Sequence, residues 1–264
     1  MPPSSGTSYG DYCVDRLIGR GGIARIYAAT HRPSGAPVAL KVLRSRSRHD
    51  PAARASLARE REAARRCTHP GIVRLLDEVT GRNGCPVLVL ELIDGDVLTD
   101  LGAPVPWATC QPILRSMLET LAHLHAAGVV HLDLKPSNVM LDRATGHVRL
   151  LDFGCAHVLG FDSADRSPGC EDCNDTGTPM YMAPEQFFGT WRQIGPWSDL
   201  YATGLVAYWM LTGQPPFPQA TWEEAASAHL TTMPPAFAHD LRVPLDAAQW
   251  IGRLLAKAPI DRYA

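Results

Sequence analysis

The sequence predicts an α+β fold with two lobes, a small β-rich N-terminal lobe and a larger helical C-terminal lobe. The chain has 264 residues, of which 45% are hydrophobic, and this suits one large domain or two lobes with a real core. Short apolar runs separated by turn residues dominate the first part, whereas apolar residues recur at helical spacing after Gly95. We therefore predict a flexible tail over residues 1–11, an N-terminal lobe over 12–94, a C-terminal lobe over 95–264, and a hinge near 91–95.

The N-terminal lobe is predicted to hold five strands and one helix. Strands at 12–18 and 26–30 flank a Gly-rich turn, and further strands are predicted at 37–43, 72–78 and 87–92. The helix is predicted over 52–66, because Asp50 is a good N-cap and Pro51 suits the first helical position. His69-Pro70-Gly71 follows the helix as a stop signal.

The C-terminal lobe is predicted to be mainly helical. Helices are expected at 111–127, 198–211, 222–230 and 246–255, and a short hairpin at 139–141 and 148–151. The last four residues fall in a helical pattern without a stop signal. We therefore expect the chain to be part of a longer, multidomain protein.

Composition limits the partners and the compartment. The net charge of −2 gives no reason to expect nucleic acid or an anionic membrane as partner. There is no apolar run of the ~20 residues that a membrane span needs, and the start lacks the regions of a signal peptide. The seven cysteines are odd in number and irregularly spaced, which favours reduced thiols and a cytoplasmic location. Cys170 and Cys173 form a CxxC, read as incidental loop cysteines or as a redox or metal sensor.

A glycine cluster, Gly19-Arg20-Gly21-Gly22-Ile23-Ala24, lies between two predicted strands. Glycines allow the backbone to approach a phosphate and to aim N–H groups at it, although many such clusters are plain hairpin turns. A dinucleotide fingerprint requires a helix after the glycines, and here a strand is predicted instead. The cluster therefore favours a Gly-rich flap over a nucleotide.

Lys41 lies on a predicted strand among apolar neighbours, in Val38-Ala39-Leu40-Lys41. Such a residue is a surface lysine unless a carboxylate compensates its burial, because a lone buried charge is costly. Glu60 and Glu62 on the following helix are the two candidate partners. They lie about 200° apart around the helix, so only one of them can face Lys41.

The segment His131-Leu132-Asp133-Leu134-Lys135-Pro136-Ser137-Asn138 places a carboxylate, a cation and an amide in one short polar loop. Asp152-Phe153-Gly154 follows after two more strands. Asp133 is the candidate base, and Lys135 can neutralise charge on a transferring phosphoryl group. Asn138 and Asp152 are oxygen donors of the kind that Mg²⁺ prefers, and one carboxylate with one amide suits a nucleotide–metal complex better than a free ion.

Taken together, these segments resemble the protein kinases, and especially the eukaryotic-like serine/threonine kinases of bacteria. The resemblance runs from about Tyr12 to Tyr263 and keeps the order of the family's motifs. It implies a bilobal protein-kinase-like fold that binds ATP with Mg²⁺, or Mn²⁺ in its place. The residues implied in nucleotide binding are Ile18, Gly19, Gly21, Gly22, Ala24, Ile26, Ala39, Lys41, Glu60, Leu90, Glu91, Ile93 and Met140.

The resemblance also implies a role for each polar residue of the site. Asp133 would accept the proton of the substrate hydroxyl, Lys135 would stabilise the transferring phosphoryl group, and Asn138 and Asp152 would hold the metal. Glu185 would pair with Arg262, and Asp199 would hold the backbone of the catalytic loop. Lys135 and Thr178 stand where serine/threonine kinases have these residue types.

Leu132 is the main departure from the family, which usually has Arg at this position. That Arg receives an activation-loop phosphate, and a Leu cannot pair with phosphate. We therefore predict activity that does not require activation-loop phosphorylation, although hydroxyls are available at Ser163, Ser167 and Thr176. The carboxylates of Asp162, Asp165, Glu171, Asp172 and Asp175 either supply negative charge constitutively or solvate a mobile loop.

Two other functions are compatible with parts of this pattern. A pseudokinase that serves as a binding or scaffolding module would share the fold, although such modules usually lose one of Lys41, Asp133, Asn138 and Asp152. A small-molecule phosphotransferase on a related fold is disfavoured by residues 177–185, which resemble a platform for a polypeptide substrate. A protein serine/threonine kinase is the function that accounts for all of the motifs.

Overall fold

A six-stranded antiparallel sheet forms the N-terminal lobe in the computed structural model, which describes residues 5–81, 84–161, 179–188, 191–218 and 221–263. The strands are β1 (Ser8–Tyr9), β2 (Tyr12–Arg20), β3 (Ala24–His31), β4 (Pro37–Leu43), β5 (Leu75–Thr80) and β6 (Pro86–Glu91). Their order in the sheet is β1-β2-β3-β4-β6-β5, so the crossing between β4 and β5 passes over one face of the sheet. That crossing carries the lobe's long helix.

The alternation of side chains along β4 divides the lobe into two faces. Val38, Leu40 and Val42 pack on the outer face with Tyr9 and Tyr27. Ala39 and Leu43 face the main core together with helix α1 (Pro51–Arg66). Since successive side chains on a strand point to opposite faces, Lys41 points inward with Ala39. Helix α1 begins where Asp50 accepts a hydrogen bond from the Ala52 N–H at 3.0 Å.

The chain enters the C-terminal lobe over a very short connection. β6 ends at Glu91, and Gly95 already opens strand β7 (Gly95–Val97), which pairs with strand β9 (Val139–Asp142) of a three-stranded sheet. Gly95 lies so close to β9 that a Cβ there would be 2.4 Å from the carbonyl oxygen of Leu141. The remaining strands are β8 (Val129–Val130), β10 (Val148–Leu150) and β11 (His157–Val158).

Helices make up most of the C-terminal lobe. They are α2 (Trp107–Ala126), α3 (Pro184–Phe188), α4 (Pro196–Thr212), α5 (Trp222–Thr231) and α6 (Leu245–Leu254). α4 is buried along most of its length and ends at Gly213, whose φ of +78° favours glycine. α5 begins with a capping box between Thr221 and Glu224. Within the described ranges, no helix combines the length and the apolar character that crossing a membrane requires.

The predicted α+β fold with a β-rich and a helical lobe is confirmed, and most elements lie within a few residues of their predicted ends. The predicted flexible tail is wrong in its second half, because Ser8–Tyr9 pairs with β2 and Tyr9 is buried. The predicted strand at 72–78 begins only at Leu75, because the backbone before it pairs with the other lobe: the Val73 N–H donates to the Leu150 carbonyl, and the Leu150 N–H donates to the Gly71 carbonyl. The expected final helix is also wrong, since Pro259–Asp261 is a short 3₁₀ turn followed by extended backbone at Arg262.

Candidate active site

A cleft of about 610 Å³ lies between the two lobes, within the size range of small-molecule sites. The structure brings to its walls every residue predicted to bind nucleotide or metal or to take part in phosphoryl transfer. From the sheet, α1 and the connection between the lobes these are Ile18, Gly19, Gly21, Gly22, Ala24, Ile26, Ala39, Lys41, Glu60, Leu90, Glu91 and Ile93. From the C-terminal lobe they are Asp133, Lys135, Asn138, Met140 and Asp152.

The Gly-rich turn forms one rim of the cleft. It joins β2 to β3, and the Gly21 N–H donates to the carbonyl of Ala24 at 2.9 Å. A guanidinium nitrogen of Arg44 donates to the carbonyl oxygens of Gly21 and Gly22 at 3.3 and 3.1 Å. The turn therefore connects two strands, as predicted for a flap, and two of its carbonyls are already engaged. Ala24 is buried beneath the rim and does not close the cleft.

Three charged residues meet at the inner end of the cleft, and we name Lys41, Glu60 and Asp152 the phosphate-side cluster. The Lys41 Nζ lies 2.5 Å from Glu60 Oε2 and 2.8 Å from Asp152 Oδ1. The rival carboxylate, Glu62, pairs instead with Arg66 at 2.8 Å on the same helix. Lys41 and Glu60 are almost fully buried, whereas 47% of the Asp152 side chain is exposed to the cleft.

Charge compensation keeps Lys41 and Asp152 ionised, whereas burial raises the pKa of the Glu60 carboxyl to about 7 despite the opposing effect of Lys41. Burial alone would lower the pKa of Lys41, but the carboxylates of Asp152 and Glu60 raise that pKa overall. For Asp152, burial acts to raise the pKa, and it is outweighed by Lys41, by the Gly154 N–H and by Lys135, which hold the pKa at about 2. Asp152 therefore stays a carboxylate over the whole physiological range.

Asp133 lies on the C-terminal side of the cleft within a dense hydrogen-bond network. Both of its carboxylate oxygens accept from Lys135 Nζ at 2.9 Å. The amide of Asn138 donates to the Asp133 carbonyl at 2.8 Å and to Asp133 Oδ2 at 2.9 Å. Burial raises the pKa of Asp133 despite the opposing effect of Lys135. A raised pKa makes the carboxylate a better proton acceptor at a given pH.

The backbone of this loop rests on one buried carboxylate. Asp199 is fully buried in α4 and accepts from the N–H groups of His131 and Leu132 at 2.8 and 2.9 Å. Its Oδ2 also lies 2.8 Å from His125 Nε2. We name Asp199 with the backbone of His131 and Leu132 the loop cradle. The contact between Asp199 and the loop is the one that the family resemblance implied.

The opposite end of the cleft is apolar. Leu90, Ile93 and Met140 line it together with Val97 and Leu151, which the sequence reasoning had not singled out. The Glu91 side chain is engaged elsewhere, because it pairs with Arg149 and accepts from the Arg74 N–H at 2.7 Å. This end of the cleft therefore offers side chains of low polarity and the backbone of residues 91–93, surroundings that suit an aromatic ring.

Sequence reasoning missed two side chains that tie α1 to the Asp152 segment. Ser56 Oγ and Arg59 Nε both donate to the carbonyl of Gly154, at 2.9 and 3.1 Å, and both residues are buried. The available signal was helical spacing, since Ser56 lies one turn before Glu60 and shares its face. These bonds connect the position of Glu60 to that of Asp152.

The segment that follows residue 178 is anchored in the C-terminal lobe. Glu185 accepts from Arg262 at 2.8 and 3.0 Å and from Ser198 Oγ at 2.6 Å, all within buried surroundings. The contact between Glu185 and Arg262 is also the one that the resemblance implied. Several residues named from the sequence lie outside the described residues: Asp162, Ser163, Asp165, Ser167, Cys170, Glu171, Asp172, Cys173, Asp175, Thr176, Gly177 and Thr178.

The donor set fits a magnesium–nucleotide complex. No described protein donor contacts Asn138 Oδ1 or Asp152 Oδ2, and both residues line the cleft. Among the described residues there is no cluster of three or more His, Cys, Asp or Glu side chains able to hold an ion alone. Because Mg²⁺ is usually bound by one or two carboxylates together with phosphate oxygens and water, these two residues suit an ion that arrives with a nucleotide.

Comparison with known proteins agrees with this geometry. The model of the family described as "Protein kinase domain" matches residues 12–264. Serine/threonine-protein kinase pkn3 of Myxococcus xanthus is 35% identical over 96% of this chain and 47% of its own length. PknB of Mycobacterium leprae is 32% identical over 96% and 40%, and PknA of Mycobacterium tuberculosis 32% over 100% and 61%. The chain thus spans about half the length of these curated relatives.

Proposed function

Because this chain belongs to the protein kinase family, we propose that it transfers the γ-phosphoryl group of ATP to Ser or Thr hydroxyls of protein substrates. The observation that carries the proposal is the gathering of Lys41, Asp133, Lys135, Asn138 and Asp152 on the walls of one cleft. The names of the bacterial relatives support the choice of Ser and Thr as acceptors. A pseudokinase has the same fold but usually lacks one of these groups.

The catalytic work of the chain would be positioning and charge stabilisation, since phosphoryl transfer needs little covalent chemistry from the protein. Asp133 would accept a hydrogen bond from the incoming hydroxyl and take its proton, and Lys135 would stabilise negative charge on the phosphoryl oxygens. Lys41 would hold the phosphates while Glu60 fixes its direction. Asn138 and Asp152 would hold Mg²⁺, or Mn²⁺ in its place. When bound, this ion would offset the negative charge of the phosphate oxygens.

The proposal also covers the two lobes of the domain, the longer protein that contains it and its cellular compartment. Residues 12–94, joined by strand β1, and residues 95–264 would act as its two lobes around the cleft. We also propose that the chain is the catalytic part of a longer protein in the cytoplasm, because it spans about half the length of its relatives and its cysteine pattern favours reduced thiols. Its protein substrates would meet the segment that ends at Glu185.

The direct test is transfer of labelled γ-phosphate to a generic basic protein, with Asp133→Asn as the inactive form and exposed Asp240→Asn as control. We expect wild type and Asp240→Asn to phosphorylate Ser or Thr, and Asp133→Asn to be slower by ~10³-fold, the scale for loss of a central catalytic group. Binding of Mg²⁺–ATP without transfer would favour the scaffolding alternative. Phosphotyrosine as the main product would contradict the assigned acceptor.

Regulation by Leu132 has its own test. Its side chain is buried against Val130 and Ile194 and offers no charge to a phosphate. We therefore propose turnover without activation-loop phosphorylation. Simultaneous alanine substitution of Ser163, Ser167 and Thr176 should keep most of the rate, whereas a loss of ~10³-fold, typical of losing a stabilising group, would exclude this form of regulation.

A further inference from the structure

Gln186 joins the segment after residue 178 to the catalytic loop through both ends of its side chain. Its Nε2 donates to the carbonyl of Leu132 at 3.0 Å, and its Oε1 accepts from the Ala183 N–H at 2.9 Å. The residue is buried, with 6% of its surface exposed. A side-chain amide offers a donor and an acceptor at once, and both are used here.

The carbonyl that Gln186 holds belongs to an unusual residue. Leu132 has φ of +62°, a left-handed conformation that L-residues rarely adopt. Such a conformation persists only where its surroundings determine it. The Leu132 N–H donates to Asp199 at 2.9 Å, and the Leu132 side chain is packed against Val130 and Ile194. Gln186 supplies the remaining restraint, on the carbonyl.

The peptide unit between Leu132 and Asp133 is planar, so the direction of its carbonyl also fixes the direction of the Asp133 N–H. That N–H points to His131 Nδ1 at 3.3 Å, a long contact that contributes little restraint. Asn138 holds the carbonyl of the next peptide, at Asp133 itself, and within the peptide between Leu132 and Asp133 the bond from Gln186 is the shorter of the two restraints. Neutral groups therefore link the segment that ends at Glu185 to Asp133. The link is made at Leu132, the position where the family usually has an Arg that contacts a phosphate.

We propose that Gln186 is a positioning residue for Asp133, and that it couples the substrate-facing segment to the base without any charge. The role in turnover rests on the proposed function, whereas the role in holding the loop does not. Glu at this position could accept from Ala183 but could not donate to Leu132. Leu would fill the space and form neither bond.

The experiment compares Gln186→Leu and Gln186→Glu with Gln111→Leu, a matched change at an exposed glutamine of α2. We measure kcat, the dissociation constant of Mg²⁺–ATP, and hydrogen exchange of the amides at 130–134. Both Gln186 variants should lose about 10–100-fold in kcat, the scale of a small misplacement of a catalytic group, while ATP affinity stays within about twofold. Exchange at 130–134 should accelerate in both, and neither effect should occur in Gln111→Leu.

Two results would overturn the proposal. One is unchanged exchange at 130–134 in both variants. The other is a fall of ATP affinity in proportion to kcat, since general destabilisation would produce it and misplacement of the base would not. If the wild type transfers no phosphate, the proposed function fails, and the exchange measurement still decides whether Gln186 holds the loop.

Discussion

The phosphate-side cluster and the loop cradle are two polar arrangements near one cleft, but they are stabilised in different ways. Lys41, Glu60 and Asp152 come from a strand, a helix and a loop in two lobes, and they meet through opposite charges. Asp199 instead holds backbone N–H groups within a single lobe. The first arrangement depends on how the lobes are placed, and the second does not. The phosphates would thus be held by the part of the site that can rearrange, and the base by the part that cannot.

The largest effect is expected at the loop cradle. Asp199→Ala leaves the N–H groups of His131 and Leu132 buried without their acceptor, at a cost of about 1–3 kcal/mol for each. It also removes a restraint on the strained Leu132 backbone, which by itself costs about 1–2 kcal/mol. We expect a fall of several kcal/mol in the free energy of unfolding by urea titration, with turnover reduced by ~10³-fold. Asp240→Ala serves as the exposed control, and a stable, active Asp199→Ala would contradict the rigid cradle.

Lys41→Met is expected to act on binding and turnover more than on the loop. It removes the contact to the phosphates and leaves Glu60 without its partner, so turnover should fall by about 10²–10³-fold. Hydrogen exchange at 130–134 should stay at the wild-type rate, because the cradle lies in the other lobe. Arg54→Met on the exposed side of α1 is the matched control. Faster exchange in the catalytic loop of Lys41→Met would show that the two clusters are not independent.

The pH dependence should separate the two carboxylates of the site. The raised pKa of Asp133 means that the base is protonated, and turnover lost, as the pH falls through that pKa, above the ordinary value for Asp of 3.8. Asp152, with a pKa of about 2, stays ionised in this range. Lys135 opposes the rise, so Lys135→Met should move the acid limb of kcat to higher pH. An unmoved limb would assign the titration to another group.

The smallest effect is expected at the exposed ion pairs beside the connection between the lobes. Arg143 contacts the carboxylates of Asp94 and Asp96, and all three side chains are largely exposed. Exposed pairs usually contribute less than about 1 kcal/mol. Arg143→Ala should therefore change the free energy of unfolding by less than about 0.5 kcal/mol and leave turnover intact. A larger loss would mean that charges at the molecular surface also control the placement of the lobes.

The elements and the charged residues of the site could be predicted from the sequence because they carry patterns. Alternation on β4, the cap at Asp50 and the order of the polar motifs all refer to neighbours along the chain. The restraints that orient the loop carry no such pattern. These restraints are hydrogen bonds to backbone carbonyls more than fifty residues away, donated by Gln186, Ser56 and Arg59. Every residue has a carbonyl, so the sequence does not indicate which one a polar side chain will reach. Strands β1 and β7 were missed for a related reason, since two or three residues are too few to show alternation.

The close approach of Gly95 to β9 has a mechanical consequence. The sheet of the N-terminal lobe ends at Glu91, and the three-stranded sheet of the C-terminal lobe begins at Gly95. A hinge between the lobes must therefore lie within residues 92–94, a length of at most about 11 Å. A hinge this short allows rotation of one lobe relative to the other but little sliding. A side chain at Gly95 would push strands β7 and β9 apart next to the hinge, since its Cβ would lie 2.4 Å from the Leu141 carbonyl oxygen. Because the Gly-rich turn lies far from the hinge, a small displacement at Gly95 would produce a larger change in the width of the cleft at that rim.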